Sequence, residues 1–203
     1  NLDKMHNMVE EACEGIAGVS ASQVEIQSGL QFYDGITTAE IQEILIKSAS
    51  DLIDLDNPNY QFVAARLLLF QLRKSLYGRT RELPSLTDHI TTLAYKDLYD
   101  KDIFEKYTLE EIIKVETFLD HDRDYKFTYA GLRQVVDKYL VQDRSTGEVY
   151  ETPQFMYIMI ALTMFRNYPK ETRLDYVRRY YDAISRHRIN IPTPIMAGVR
   201  TPI

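Results

Sequence analysis

Apolar positions recur at intervals of three and four residues along most of the chain, which predicts a mainly helical protein. Residues 3–14 set Met5, Met8, Val9, Ala12 and Cys13 on one side of a helix. Ser20 or Ser22 is placed to cap a second short helix with Val24 and Ile26 inside. Tyr33-Asp-Gly35 is a turn, and Thr37-Thr-Ala-Glu40 a capping box, because a Thr hydroxyl and a Glu carboxylate three residues apart satisfy each other's orphan amides. The helix that follows carries Ile41, Ile44, Leu45, Ala49, Leu52 and Ile53 and is expected to stop near Asn57-Pro58, since the residue before proline avoids the helical region. Tyr60 to Tyr77 is strongly apolar and helical, with Gly78 as its left-handed terminator. These elements predict a four-helix unit over 1–78, and the mixed-charge, proline-containing stretch Arg79–Pro84 marks a domain boundary before 79–203.

In the second part, a helix is expected near Ser85–Tyr95, a second capping box at Thr108-Leu-Glu-Glu111 opens a helix to about Leu119, and 128–139 is helical. Leu140-Val141 and Val149-Tyr150 flank the turn Asp143–Gly147 and predict a β-hairpin. Thr152-Pro153 is a cap followed by proline at the first helical position. Gln154–Phe165 is apolar on nearly every face and should be deeply buried. Residues 171–186 form an amphipathic helix with Leu174, Val177, Tyr181 and Ile184 inward, and Ile189-Asn-Ile191 is expected to be a short strand.

The chain has 203 residues, 45% hydrophobic and 27% charged, which allows one large or two small cores. A net charge of −6 argues against a nucleic-acid-binding module. A pocket for a nucleotide triphosphate needs only a few cations and is compatible with it. Cys13 stands alone, so no disulfide forms within the chain and a reducing cytoplasm is the simplest compartment. With no run of about 18 apolar residues, no membrane span is expected. The sequence opens without Met and without a signal peptide, as if in mid-element, so upstream material is expected.

Chemistry is thinly marked. His6, His89, His121 and His187 are scattered, and no Cys-x-x-Cys or His-x-x-x-His pair exists. Asp120-His-Asp-Arg-Asp124 is dense in ionisable groups, but five consecutive residues cannot face one point; it is expected to be a turn in which Asp caps and Arg pairs. Cys13 lies on the apolar side of its helix, as a buried, inert thiol would. No nucleophile elbow, phosphate loop or dinucleotide fingerprint is present.

Longer strings carry a resemblance. Asn1-Leu-Asp-Lys4, Gln31-Phe-Tyr-Asp-Gly-Ile36, Ile46-Lys-Ser-Ala49, Tyr60-Gln-Phe-Val-Ala-Ala-Arg66 and Leu72-Arg-Lys-Ser-Leu-Tyr-Gly78 resemble the ATP cone of class Ia ribonucleotide reductase large subunits. Asp120–Asp124, Lys138-Tyr-Leu140, Thr146–Phe155 and Pro192-Thr-Pro-Ile-Met-Ala-Gly-Val-Arg-Thr-Pro202 resemble the region after the cone. The order and spacing of these strings span essentially the whole chain.

The resemblance implies an ATP-cone helical bundle without the family's opening β-hairpin, then a helical domain with a small β-hairpin leading into the first strand of an α/β barrel. It implies an allosteric site for ATP or dATP formed by Asn1, Leu2, Asp3, Lys4, Thr38, Gln42, Phe70 and Lys74. Thr38 would offer its hydroxyl and a helix N-terminus to phosphate or sugar oxygens. Lys74 would supply an ammonium, and Phe70 an apolar wall on the same face one turn earlier. Many relatives have a histidine where Gln42 stands; Gln hydrogen-bonds but cannot become cationic, so weak or absent inhibition by dATP is expected. Thr193 corresponds to a substrate-phosphate contact at the end of the first barrel strand, where ligands bind in such barrels.

The implied reaction reduces ribonucleoside diphosphates to deoxyribonucleotides. Its partners are the remainder of the large subunit, which bears the catalytic cysteines, and a small subunit that generates a radical at a metal centre. No catalytic residue and no bound cofactor is assigned to these 203 residues, neither a membrane nor a nucleic acid is an expected partner, and the localisation expected is cytoplasmic. The alternative is a non-catalytic ATP-cone module that senses nucleotides. Such repressors carry a zinc ribbon, whose Cys-x-x-Cys pairs are missing here, and residues 85–203 would have no role in one.

Overall fold

The computed structural model describes residues 2–202, and of Leu2 only its place in the backbone. The expectations for Asn1 and for the Leu2 side chain lie outside what is described. The chain divides into two compact units, Asn1–Thr80 with Tyr125–Gln134, and Arg81–Asp124 with Val135–Ile203.

The first unit is built on α1 (Leu2–Cys13), α2 (Ala21–Gly29), α3 (Thr38–Asp51) and α4 (Tyr60–Tyr77). Its core is the apolar α4, whose Val63, Ala64, Leu67, Leu68 and Phe70 are buried, with Val9, Ala12, Val24, Leu45 and Ala49 closing over it. The Thr37 box opens α3 as its residue types require: Glu40 N donates to Thr37 Oγ1 (3.2 Å) and Thr37 N to Glu40 Oε2 (2.8 Å). Gly78 terminates α4 at φ +71, its N–H donating to the Lys74 carbonyl. Tyr125 closes the unit, with the Arg66 and Arg73 guanidiniums 5.7 and 5.2 Å from its ring centre.

Three details differ from expectation. α3 stops at Asp51, well before Asn57-Pro58, because Asp54 Oδ1 takes the amides of Asp56 and Asn57 (2.9 and 2.6 Å) and folds the chain into a turn. Ile26 is 69% exposed on the outer face of α2. Cys13 is half-buried rather than enclosed, although burial still pushes its thiol up to about 11.

The second unit holds α5 (Leu86–Tyr95), α6 (Ile103–Lys106), α7 (Leu109–Glu116), α9 (Pro153–Phe165), α10 (Lys170–Ser185) and α11 (Thr193–Gly198); α8 (Tyr129–Lys138) belongs to the first unit up to Gln134. α9 is the axis, buried from Pro153 to Thr163, and α10 and α11 pack on it. The Thr108 box forms at α7. Thr152 does not cap α9; its hydroxyl is buried without a partner. Asp120–Asp124 is a turn into a 3-10 helix: Arg123 bonds Asp120 (3.2 Å), Asp182 (2.7 Å) and the Ser185 hydroxyl (2.6 Å).

The β expectations are corrected. The hairpin narrows to one antiparallel bridge, Gln142 with Val149, around the Asp143–Gly147 turn. It cannot lengthen past Val141, whose amide is held by the Glu151 carboxylate (2.7 Å) instead of a partner strand. Residues 189–191 form no strand. After α10 ends at a left-handed His187 (φ +56), Pro192 removes a donor and Pro194 favours a helical first turn, so Thr193 begins a helix rather than ending a strand.

Candidate functional site

In the first unit, the residues expected at a nucleotide lie on α1, α3 and α4, and α4 packs on both others. The capping box makes Thr38 the first helical residue of α3, exposed, with Gln42 one turn on and half-exposed. Gln71 Nε2 donates to Glu43 Oε1 (2.6 Å), which ties the α3 turn bearing Gln42 to the α4 turn bearing Phe70 and Lys74. Lys74 is exposed in the last turn of α4.

α1 runs antiparallel to α4. Arg66 Nη1 takes the carbonyls of Ala12 (3.3 Å) and Glu14 (2.6 Å), while Asn59 Nδ2 takes that of Ala17 (2.9 Å) nearer the start of α4. The first turn of α1, with Asp3 and Lys4 exposed, therefore points toward the α4 end that carries Lys74. Among the described residues, the side chains of Lys4, Thr38, Gln42 and Lys74 make no hydrogen bond or ion pair within the chain.

Phe70 stands apart from this group. It is 1% exposed and meets the Tyr125 ring edge-on at 6.2 Å, so it is part of the core here. The start of α3 is also occupied electrostatically. Glu40 accepts from Thr37 N, Thr37 Oγ1 and the Tyr33 hydroxyl, bonds that hold its carboxyl down at about 2. An anion approaching Thr38 meets helix amides on one side and this carboxylate on the other.

In the second unit, Thr193 is exposed at the start of α11, its hydroxyl 3.4 Å from the Tyr139 hydroxyl. Seven residues on, Arg200 is wholly buried, and so is Glu151 beneath it. Arg200 Nε lies 3.1 and 3.2 Å from the two Glu151 oxygens, Nη2 also reaches Glu151, and the remaining donors take the carbonyls of Met196 (2.6 Å) and Tyr139 (2.8 Å). Burial alone would pull the Arg200 guanidinium down; Glu151 beside it raises it instead.

Glu151 also accepts from the Val141 amide and from the Tyr99 hydroxyl (2.5 Å). Tyr99 thus spends its proton on Glu151, so His89 Nε2, 3.0 Å away, donates to the Tyr99 oxygen. His89 is stacked on Phe155 at 3.8 Å, and burial holds its pKa down at about 3, so it is neutral. Sequence patterning missed this network, since its members lie far apart in the chain. Its only sequence trace is that Tyr139, Glu151 and Arg200 each fall inside one of the longer strings.

Comparison with known proteins bears on both units. A family model described as the ATP cone domain matches residues 1–75, and one described as the ribonucleotide reductase all-alpha domain matches residues 125–203. The chain is 54% identical over 202 residues to ribonucleoside-diphosphate reductase 1 subunit alpha of Escherichia coli (strain K12), covering 100% of this chain and 26% of that protein. The corresponding subunit of Haemophilus influenzae is 52% identical over 202 residues, with 27% of it covered. That of Enterobacteria phage T4 is 44% identical over 187 residues, covering 91% of this chain and 24% of the relative. The chain spans about a quarter of the length of these curated relatives. The chain thus carries an ATP cone domain at its start and a ribonucleotide reductase all-alpha domain at its end, and along its whole length it is similar to the N-terminal portion of ribonucleotide reductase large (alpha) subunits.

Proposed function

We propose that this chain supplies the allosteric nucleotide site, and one contact of the substrate site, to a ribonucleoside-diphosphate reductase that makes deoxyribonucleotides. Residues 1–78 serve as the cone and 79–203 as the helical domain that follows. The remainder of the large subunit brings the redox cysteines, since these 203 residues hold only Cys13. A separate small subunit brings the radical and its metal centre. ATP and dATP are effectors, a ribonucleoside diphosphate is the substrate, and the cytoplasm is the compartment.

The observation that carries the effector site is the α3–α4 junction pinned by Gln71 and Glu43. An ammonium, a hydroxyl and an amide, those of Lys74, Thr38 and Gln42, lie on the two helices that this bond joins, with none of them engaged inside the chain. Lys74 is the phosphate-directed charge, Thr38 and Gln42 are neutral hydrogen-bonding groups, and Asp3 and Lys4 flank them from α1. Asn1 and Leu2 are assigned to the same segment through the family resemblance alone. Phe70 acts from beneath, as the packed floor under Lys74. A nucleotide-sensing module without catalysis leaves the match over residues 125–203 unused.

Equilibrium dialysis of ATP and dATP against the chain tests this. Saturable binding that Lys74→Ala weakens about tenfold or more is expected, in line with the loss of a charge-assisted hydrogen bond. Binding indifferent to Lys74 would refute the assignment.

A further inference from the structure

We infer that Tyr139, Glu151 and Arg200 are positioning residues that hold α11 so that the Thr193 hydroxyl faces substrate. This rests on the substrate role proposed for Thr193. α11 spans only Thr193–Gly198, too short to be stable by itself. Its fixity must come from outside, and two attachments supply it.

Tyr139 touches both ends. Its hydroxyl lies 3.4 Å from Thr193 Oγ1, and its carbonyl accepts from Arg200 Nη2 at 2.8 Å. Arg200 also takes the Met196 carbonyl from within α11, while its own carbonyl accepts from Asp100 N (3.0 Å). The guanidinium is aimed by Glu151, whose carboxylate is fixed by Val141 N and Tyr99, with His89 behind Tyr99. Glu151 directly precedes Thr152, Pro153 and α9, so the anchor sits at the entry to a helix buried from Pro153 to Thr163. A planar fork suits this geometry, because four acceptor positions are met at once; a lysine point charge cannot meet them.

Hydrogen exchange on the chain is the first test. In Arg200→Lys the amides of Ile195, Met196 and Val199, bonded within and into α11, should exchange about tenfold or more faster, while α9 amides stay protected. Tyr139→Phe, which removes one hydroxyl and leaves the fold intact, should accelerate the same amides to a smaller degree. Wild-type exchange across α11 in both variants overturns the inference.

The second test uses the reductase that contains this chain, with cytidine diphosphate as probe. Tyr139→Phe should raise KM about threefold to tenfold with kcat retained, since it disturbs binding geometry and not chemistry. Thr193→Ala separates the two claims. A raised KM in Thr193→Ala with none in Tyr139→Phe sinks the positioning role and keeps Thr193. An unchanged KM in Thr193→Ala sinks the substrate role of Thr193 itself.

Discussion

Arg173 lays its guanidinium on the Glu111 carboxylate, with Nε and Nη2 at 2.8 and 2.6 Å from Oε1. The same Glu111 closes the capping box of α7 by accepting from Thr108 N at 2.8 Å, so one carboxylate starts α7 and ties it to α10. Arg173 is 3% exposed and stacked over the Tyr107 ring at 4.4 Å. Removing its partner strands a charge in the interior. Glu111→Ala is expected to destabilise the chain by about 3–5 kcal/mol, measured by urea denaturation followed by circular dichroism. Thr108→Ala, which breaks only the cap, should cost about 1 kcal/mol. Equal losses in the two variants would contradict the dual role.

Glu40 gives a test in acid. Its carboxyl lies at about 2 in the folded chain against 4.5 for a free carboxyl, lowered first by the Thr37 side chain, then by the Thr37 amide and Tyr33. A depressed pKa means that the contribution to stability is complete above pH 4.5 and is lost as pH falls toward 2. Carboxyl-detected NMR should place the Glu40 midpoint near 2 in the wild type and measurably higher in Thr37→Ala. A midpoint above 4 in the wild type would rule the box out.

His89 titrates in a higher window. Burial, with His121 and Arg200 nearby, holds it at about 3 when folded, against 6.5 when unfolded. Since the unfolded chain takes the proton first, stability is complete above pH 6.5 and falls steadily as pH drops toward 3. Between pH 7 and pH 5 the wild type should lose about 2 kcal/mol from this group. In His89→Gln the fall over that interval should largely disappear, although the variant starts less stable. An unchanged slope would mean that His89 is charged in the fold.

Gln42 yields a prediction on the effector itself. As a neutral amide it cannot strengthen phosphate binding at low pH, whereas a histidine there could. Gln42→His should bind dATP more tightly below pH 6.5 than above it, and the wild type should show no such dependence from this position. Dialysis of dATP at pH 6 and pH 8 is the measurement. Equal binding by the variant at both values would remove position 42 from the site.

Local chemistry was legible and distant chemistry was not. The Thr37–Glu40 and Thr108–Glu111 boxes, the Gly78 terminator and the run Gln154–Phe165, buried as far as Thr163, could be read because each is written within a few turns of chain. The early stop of α3 escaped notice because an Asp54 side chain, not a proline, turns the backbone there. The strand expected at 189–191 failed for a different reason. Alternating apolar residues specify a strand only when a partner edge exists, and none pairs with them among the described residues. For the proposed effector site, the sequence named residues on α1, α3 and α4, and of these Phe70, expected as a wall, packs inward onto Tyr125. Tyr139, Glu151 and Arg200 had no local pattern to betray them, because only the fold brings them together.

α9 has a consequence of its own. An amphipathic helix is oriented by its wet side, but α9 is buried all round from Pro153 to Thr163 and has none. Hydrophobicity would accept it at any rotation about its axis. One polar side chain breaks that degeneracy: Gln154 donates to Asp124 Oδ1 (2.9 Å) and accepts from the Tyr181 hydroxyl (2.7 Å), both out of water. Any other rotation breaks both bonds and leaves the Gln154 amide buried without them. Gln154 therefore acts as an index pin, and a single amide does for this helix what patterning along the whole length does for the others.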